Sequence, residues 1–215
     1  MSAREEILGR LRSALADQPP VPEVPRNYRH EAGLSTEQLI DLLVDRLVDY
    51  KAGVAVVTED ELPGRIATLL AEAESYVVPD GLDPDWLEEA EAIDAQAGTR
   101  SRRRTDAAGS PLSVAELDAV DAVVTGSAVS VAETGTIILD GSPNQGRRAI
   151  TLVPDHHICV VRVEDIAGIV PEALRRLDGT RPLTMISGPS ATSDIELERV
   201  EGVHGPRTLD VLIVR

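Results

Sequence analysis

Three short polar segments border apolar runs in this sequence, and each contains residue types that can bind or activate a small ligand. The first runs from Gly126 to Thr136, where Glu133 stands at the end of an apolar run and Gly135 permits a tight turn. Thr134 and Thr136 add hydroxyl groups and backbone donors at the same place. A carboxylate at a strand end suits a ligand crevice at the carboxyl edge of a sheet. The alternative is a capped β-turn in which Glu133 bonds nearby backbone donors.

The second segment is rich in serine and follows another apolar run directly. It contains Ser187, Gly188, Ser190 and Asp194. If a helix begins in this stretch, its exposed backbone N–H groups would point at the end of the strand, a geometry that suits an anion or carboxylate. No Gly-Lys-Ser/Thr triplet follows, so the segment is not a Walker P-loop. The alternative is a serine-rich cap between a strand and a helix.

The third segment leads into the last apolar run. His204 can act as an acid or base near neutral pH, Gly205 precedes a proline, and Arg207 can clamp a carboxylate. The alternative is a Gly-Pro turn with a structural histidine. Because loops at one edge of a sheet converge, we expect one shared pocket at the carboxyl edge that binds a small anion or carboxylate. Its expected residues are Glu133, Ser187, Ser190 and His204, with Arg207 supplying positive charge; Glu133 and His204 are the candidates for catalysis.

The histidines and the cysteine predict no metal site in this chain. His156 and His157 are adjacent in sequence, so on a strand they point to opposite sides. The four histidines show no spacing typical of zinc ligands. Cys159 is the one cysteine, so it cannot form an intramolecular disulfide or supply the several thiolates that an iron–sulfur cluster needs. Its apolar neighbours favour a small core residue over a nucleophile.

The chain is strongly acidic, with a formal net charge of -16 and a pI near 4.6. Such a chain repels nucleic-acid phosphates and anionic lipid surfaces, so we expect neither as a partner. No apolar run reaches the roughly 20 residues that span a bilayer, and the N-terminus lacks the apolar segment of a signal peptide. These features predict a cytoplasmic protein. We interpret the basic run at 100–104 as a solvated loop.

The chain divides into an N-terminal appendage, residues 1–30, and a domain over residues 31–215. Ser2 can cap a first helix with an apolar face, and a proline-rich linker follows at 18–25. An isolated helix of this length is marginal in water. It therefore packs either on its own domain or on a partner subunit, and the sequence leaves both open.

Within the domain, short apolar runs alternate with helical patterns. Predicted strands lie at 53–57, 75–78, 122–124, 128–131, 136–139, 150–153, 158–163, 183–186 and 209–214; predicted helices follow the capping residues Ser35 and Ser113, begin at Pro84, and occupy 59–72 and 164–177. The chain has no Phe, so its core is built from aliphatic residues. The alternation predicts an α/β fold with a mainly parallel sheet and helices on both faces.

Four motifs in a fixed order carry a resemblance to a known family. They are Ala132-Glu-Thr-Gly-Thr136, Pro154-Asp-His-His-Ile158, Ser187-Gly-Pro-Ser190 with Asp194-Ile195, and Gly202-Val-His-Gly-Pro-Arg207. Together they resemble the lactate-utilisation (LUD) domain, in the form of its stand-alone LutC family, over roughly residues 35–215.

The resemblance implies a fold similar to the NagB/RpiA/CoA transferase-like superfamily. It also implies a bacterial three-protein system that oxidises L-lactate to pyruvate. In that system sibling subunits carry the iron–sulfur clusters, and this chain carries no cofactor of its own. CoA transferases of the superfamily use a glutamate near a glycine-containing turn, and Glu133 is similar in setting.

Three functions are therefore hypotheses. The first is a non-redox accessory or substrate-handling subunit of the lactate system. The second is a stand-alone enzyme that acts on a small phosphorylated or CoA-linked acid, which Glu133, Ser187 and His204 would serve. The third is an interaction scaffold, which would bind its partners without responding to any ligand.

Overall fold

Helices and strands alternate through most of the chain. The computed structural model describes residues 2–17, 22–98, 101–192, 200–201 and 204–215. The helices are α1 (Ala3–Ala14), α2 (Thr36–Asp49), α3 (Leu62–Leu69), α4 (Glu88–Gln96), α5 (Val114–Asp118) and α6 (Val170–Arg176). The strands are β1 (Gly53–Val57), β2 (Tyr76–Pro79), β3 (Arg103–Asp106), β4 (Ala122–Thr125), β5 (Val129–Val131), β6 (Thr136–Leu139), β7 (His156–Arg162), β8 (Ile166–Ala167), β9 (Thr184–Ile186), β10 (Ala191–Thr192), β11 (Val200–Glu201) and β12 (Thr208–Val214).

A six-stranded sheet forms the centre of the domain. Its strand order is β1-β12-β7-β4-β2-β3, and every neighbouring pair is parallel. The central strands are buried on both faces, which explains why their sequences are continuous apolar runs rather than alternating ones. The predicted α/β fold with a mainly parallel sheet is confirmed.

The two faces of this sheet are covered differently. On one face α3, α4 and a short turn at Trp86 pack over an aliphatic cluster. On the other face lie α2, α5 and a second, four-stranded sheet of order β8-β5-β6-β9. Helices therefore lie on both faces as predicted. The runs at 128–131, 136–139 and 183–186 are strands of the second sheet, which the alternation pattern did not reveal.

Three local predictions were wrong. Arg103 and Arg104 of the basic run lie in an edge strand, β3, where polar side chains are tolerated because only one neighbour pairs with it. The run at 150–153 is a 3-10 turn, Arg148–Thr151, whose Ile150 packs on the sheet. The segment 164–177 is interrupted by β8 and Gly168, and α6 begins only at Val170, with a proline in its first turn.

The N-terminal appendage has an exposed helix and a docked final part. Ser2 caps α1 through its side chain, and no α1 residue is buried; Ile7 and Leu11 are 59% and 53% exposed. Residues 18–21 of the linker lie outside the described residues. Arg29, slightly before the predicted boundary, contacts the domain through Glu133, and Ala32 donates its backbone N–H to Glu172 at 2.8 Å.

Candidate functional site

A small cavity of about 220 Å³ lies between the second sheet and the amino ends of two central strands. His157 and Leu209, the second residues of β7 and β12, form part of its wall. Its described lining is Arg148, Thr151, His157, Met185, Ile186, Ser187, Gly188, Pro189, Ser190, His204, Gly205, Pro206 and Leu209. The structure therefore brings together Ser187, Ser190 and His204, as the sequence predicted.

The cavity lies at the amino edge of the main sheet, so the predicted carboxyl edge was wrong. Residues 204–207 come directly before β12, and a loop that precedes a parallel strand lies at its amino end. Ser187 follows β9, which belongs to the second sheet and runs antiparallel to β6. Because β9 is not part of the six-stranded parallel sheet, its carboxyl end can lie near the amino edge of that sheet.

Backbone contacts hold the two polar loops of the cavity together. The Ser190 N–H donates to the Pro206 carbonyl at 2.8 Å, and the His204 N–H donates to the Ser190 hydroxyl at 3.0 Å. Gly188 has a φ of 84°, and a Cβ at this position would lie 2.7 Å from the Cβ of Tyr50. Only glycine fits this close approach to α2's end without strain.

Hydroxyl groups connect the cavity to the turn at Gly135. Thr136 Oγ1 lies 2.9 Å from Ser187 Oγ and 2.8 Å from Thr134 Oγ1. Gly135 has a φ of 58°, a left-handed conformation that glycine adopts without strain, at the turn that the sequence predicted. Thr134, Gly135 and Thr136 therefore support the wall of the cavity without lining it.

Three further predicted site residues are absent from the described lining of the cavity. Glu133 is held outside it by Arg29, and Gly126 lies at the opposite, carboxyl end of β4. Arg207 is exposed and pairs with Asp155 at 3.2 Å, so it does not supply the cavity's positive charge. Asp194 lies outside the described residues.

The cavity's cation is Arg148, which the sequence analysis missed. Its Nη1 donates to Thr151 Oγ1 at 3.1 Å, and it forms no ion pair among the residues that the structure describes. Surrounding protein atoms lower its pKa by desolvation. No acidic side chain is among the described lining residues. In a chain of net charge -16, this combination favours an anion.

His157 forms the buried end of the cavity and was also missed. It is 1% exposed, and its Nε2 lies 2.8 Å from Thr125 Oγ1. Burial, with smaller contributions from the charges of His156 and Arg148, lowers the pKa of His157 to about 3. The ring is therefore neutral at physiological pH. Burial also raises the pKa of the neighbouring Cys159 to about 12, as befits a core residue.

A second cavity of about 680 Å³ adjoins the first, and Arg148 and Thr151 line both. Its other charged groups are mostly paired. Arg147 donates two hydrogen bonds of 2.8 Å to Asp106, and Arg181 pairs with Asp140 at 2.8 Å. Burial would raise the pKa of Asp106, but the hydrogen bonds from Arg147 and Leu112 outweigh it and hold that pKa below its usual value. Arg148 is thus the cation of this region that lacks a carboxylate partner within the described part of the chain.

The described residues contain no group of three or more His, Cys, Asp or Glu side chains placed to hold a metal ion. No described helix is both long and apolar enough to cross a bilayer.

Comparisons with known proteins agree with the motifs. The LUD domain family model matches residues 40–214. A protein from Deinococcus radiodurans named "Lactate utilization protein C" is 45% identical over 99% of this chain and 95% of its own length. One of the same name from Oceanobacillus iheyensis is 24% identical over 96% of this chain and 93% of its own length. A crystal structure of a DUF162 family protein from Deinococcus radiodurans has a TM-score of 0.68 and 40% identity, over 85% of this chain and 99% of that chain. Because the family model matches residues 40–214 and the 45% identical relative from Deinococcus radiodurans covers 99% of the chain, the chain belongs to the LUD domain family.

Proposed function

We propose that this chain takes part in bacterial L-lactate utilisation as a non-redox, substrate-handling subunit. Its relatives named "Lactate utilization protein C" cover almost its full length, which supports the system to which it belongs. The cavity supports the role within that system, because it has the size and charge for a small carboxylate.

The single observation that carries the proposal is the position of Arg148. Arg148 forms no ion pair with a described residue and lies beside a cavity whose described lining has no acidic side chain, so it is a ready binding site for an anion. The cavity's 220 Å³ is below the roughly 300–1,000 Å³ of pockets for drug-sized ligands. The hydroxyls of Thr151, Ser187 and Ser190 add neutral hydrogen-bonding groups. A short carboxylic acid suits all of these features.

Electron transfer belongs to the partners in this proposal. The chain has one cysteine, Cys159, whose burial raises its pKa to about 12. A thiol of that kind is a poor metal ligand. The iron–sulfur clusters would reside in the sibling subunits, in the same cytoplasmic complex.

The hypothesis of a stand-alone enzyme is not favoured. It relied on Glu133 as a reactive carboxylate beside Ser187 and His204. In the structure Arg29 binds both carboxylate oxygens of Glu133, and the side chain does not line the cavity.

Growth on L-lactate tests the proposal. We expect a strain that lacks this gene, and has no paralogue, to fail with L-lactate as sole carbon source. Wild-type protein and Arg65→Gln should restore growth, since Arg65 is exposed and remote from the cavity, whereas Arg148→Gln should not. Undiminished growth of the deletion strain would overturn the proposal.

An assay with purified sibling subunits separates handling from scaffolding. We expect lactate oxidation to rise when this chain is added and to stay low with Arg148→Gln, although the variant still co-purifies with the siblings. Full stimulation by Arg148→Gln would instead identify the chain as a scaffold.

A further inference from the structure

Local interactions stabilise α1 without help from the domain. Ser2 and Glu5 form a reciprocal capping box, and Arg10 pairs with Glu6 at 2.7 Å. No residue of α1 is buried, and within the described part of the chain no hydrogen bond or ion pair joins it to the domain. A helix of 12 residues is marginal in water on its own. Local signals thus favour this helix, but burial of its apolar face requires a separate surface.

That apolar face is a row of large aliphatic side chains. Ile7, Leu11 and Leu15 recur at intervals of four residues, so they lie on one side of the helix. Each of them is more than half exposed. An amphipathic helix that docks on another protein is anchored by side chains at this spacing.

Unpaired positive charge borders the apolar row. The two glutamates of α1 are engaged by the N-cap and by an arginine, whereas Arg4 and Arg12 form no ion pair with a described residue. Each stands three residues before a member of the row, Ile7 or Leu15, so both lie beside it. A second α1 is a poor match, because parallel packing sets each arginine against its own copy and antiparallel packing sets Arg4 against Arg12. The row is instead complementary to a surface that is apolar and acidic.

The outward face of α4 has those properties. Residues 80–94 contain seven acidic side chains and no basic one. Glu88, Glu89, Ala92 and Ile93 are exposed, and the two glutamates form no ion pair with a described residue. Apolar surface and unpaired negative charge therefore lie side by side on one short helix.

The position of α4 favours docking between two copies over docking within one chain. Arg29 ties the segment after α1 to Glu133, in the turn between β5 and β6 of the second sheet. The helix α4 packs on the opposite face of the main sheet. Docking within one chain would require the segment between α1 and Arg29 to pass around the sheet, which docking between two copies avoids.

We propose that α1 of one protomer docks on the outward face of α4 of its partner. The apolar row packs on Ala92 and Ile93, and the two unpaired arginines face Glu88 and Glu89. One docked helix is a small contact beside the roughly 1,200 Å² of a stable interface, so we expect reciprocal exchange in a twofold dimer. Neither the docking nor its test depends on the proposed role in lactate utilisation.

Sedimentation equilibrium of the purified full chain tests the association. We expect a concentration-dependent dimer whose dissociation constant rises by roughly tenfold or more in Leu11→Glu, because a charge replaces an anchor of the row. The matched control is Ser13→Glu, which adds the same charge to the other side of α1 and should leave the dimer intact. Glutamate is a good helix former, so both variants keep the helix propensity of α1.

A mixed disulfide tests which surfaces meet. Oxidation of an equal mixture of Leu11→Cys protein and Ile93→Cys protein should give a covalent heterodimer, whereas Ser13→Cys protein in place of Leu11→Cys should not. The one natural cysteine, Cys159, is buried, so it does not compete.

Charge reversal tests the ionic part of the contact. Arg4→Glu together with Arg12→Glu should weaken the dimer, and the addition of Glu88→Arg and Glu89→Arg to the same chain should restore it. A chain that stays monomeric at every concentration overturns the proposal. So does a dimer that Leu11→Glu leaves unchanged, one that Ser13→Glu weakens equally, one that gives no mixed disulfide, or one that the combined charge reversal does not restore.

Discussion

Arg29 donates from one guanidinium nitrogen to both carboxylate oxygens of Glu133, at 2.6 and 2.8 Å, across 104 residues of sequence. Arg46 adds a hydrogen bond to the Glu133 carbonyl at 3.3 Å. The two arginines fix the turn that supports Thr136 and, through it, Ser187. Glu133 is thus a docking point for the segment that precedes α2, not a free carboxylate.

We expect Glu133→Gln to lower the free energy of unfolding by less than about 1 kcal/mol, because both partners are exposed and water screens the pair. Urea denaturation measures this, and Arg29→Gln should give a change of similar size. Acid binding in the cavity should be unaffected. A folded Glu133→Gln protein that no longer binds L-lactate would return Glu133 to the site.

Arg102 should matter far more to stability than its basic neighbours. Its Nε donates to Asp94 at 2.6 Å, and its Nη1 donates to the carbonyls of Leu70 and Ala73 at 2.7 and 2.8 Å. Arg102→Met would remove the side-chain donor of the Leu70 and Ala73 carbonyls and the ion pair with Asp94, so we expect a loss of about 2–4 kcal/mol.

The exposed Arg104 is the matched control, and Arg104→Met should change the free energy of unfolding by no more than about 0.5 kcal/mol. Chemical denaturation of both variants provides the comparison. Equal effects of the two substitutions would show that Arg102 is as dispensable as a solvated arginine.

Gly188→Ala should strain the cavity wall. The position has a φ of 84°, and an added Cβ would lie 2.7 Å from the Tyr50 Cβ and 2.9 Å from the Tyr50 carbonyl oxygen. We expect a loss of about 1–3 kcal/mol and weaker acid binding, since the 187–190 loop must move. Thermal unfolding and titration with L-lactate measure both effects. Gly179 has open space around it, so Gly179→Ala should change neither measurement. A neutral Gly188→Ala would contradict the described loop conformation.

His157 should make stability fall as the pH drops. Its pKa is lowered to about 3 in the folded protein, from about 6.5 in the unfolded chain. The unfolded state therefore binds the extra proton between these values. The contribution of neutral His157 to the free energy of unfolding is therefore complete above pH 6.5. It declines by up to about 1.4 kcal/mol per pH unit as the pH falls towards 3.

Urea denaturation at pH 7, 6 and 5 measures this slope, a range in which most carboxylates stay ionised. In His157→Gln the slope should be shallower, whatever the variant's absolute stability. The same slope in wild type and variant would mean that His157 is not held neutral by burial.

The parallel sheet was predictable because fully buried strands leave continuous apolar runs, as in β7 and β12. The second sheet was not predictable, because β5, β6 and β9 are apolar runs like the strands of the main sheet and differ from them only in the strands with which they pair. Strand direction then decided the position of the cavity. The loop before β12 lies at the amino edge because it precedes a parallel strand, and the predicted order of His204 and the strand 209–214 already implied this.

The main binding candidates were missed for a different reason. His157 was read as one of two opposed strand histidines, and Arg148 belongs to a stretch of the chain that the motifs did not cover. Two long-range features distinguish them: a hydroxyl from β4 lies beside the imidazole, and the guanidinium forms no ion pair within the described part of the chain. Ser187, Ser190 and His204 could be grouped in advance because short hydroxyl and Gly-Pro loops have local signatures.

The turn Arg148–Thr151 is a partition between the two cavities, and this makes their contents interdependent. An anion in the larger space would draw on the same guanidinium as an acid in the smaller one, so the two occupants would oppose each other without touching. Thermodynamic linkage makes that opposition mutual: whatever factor one ligand loses in affinity, the other loses as well. An anionic compound that fills the larger cavity would therefore weaken the binding of an acid in the smaller one.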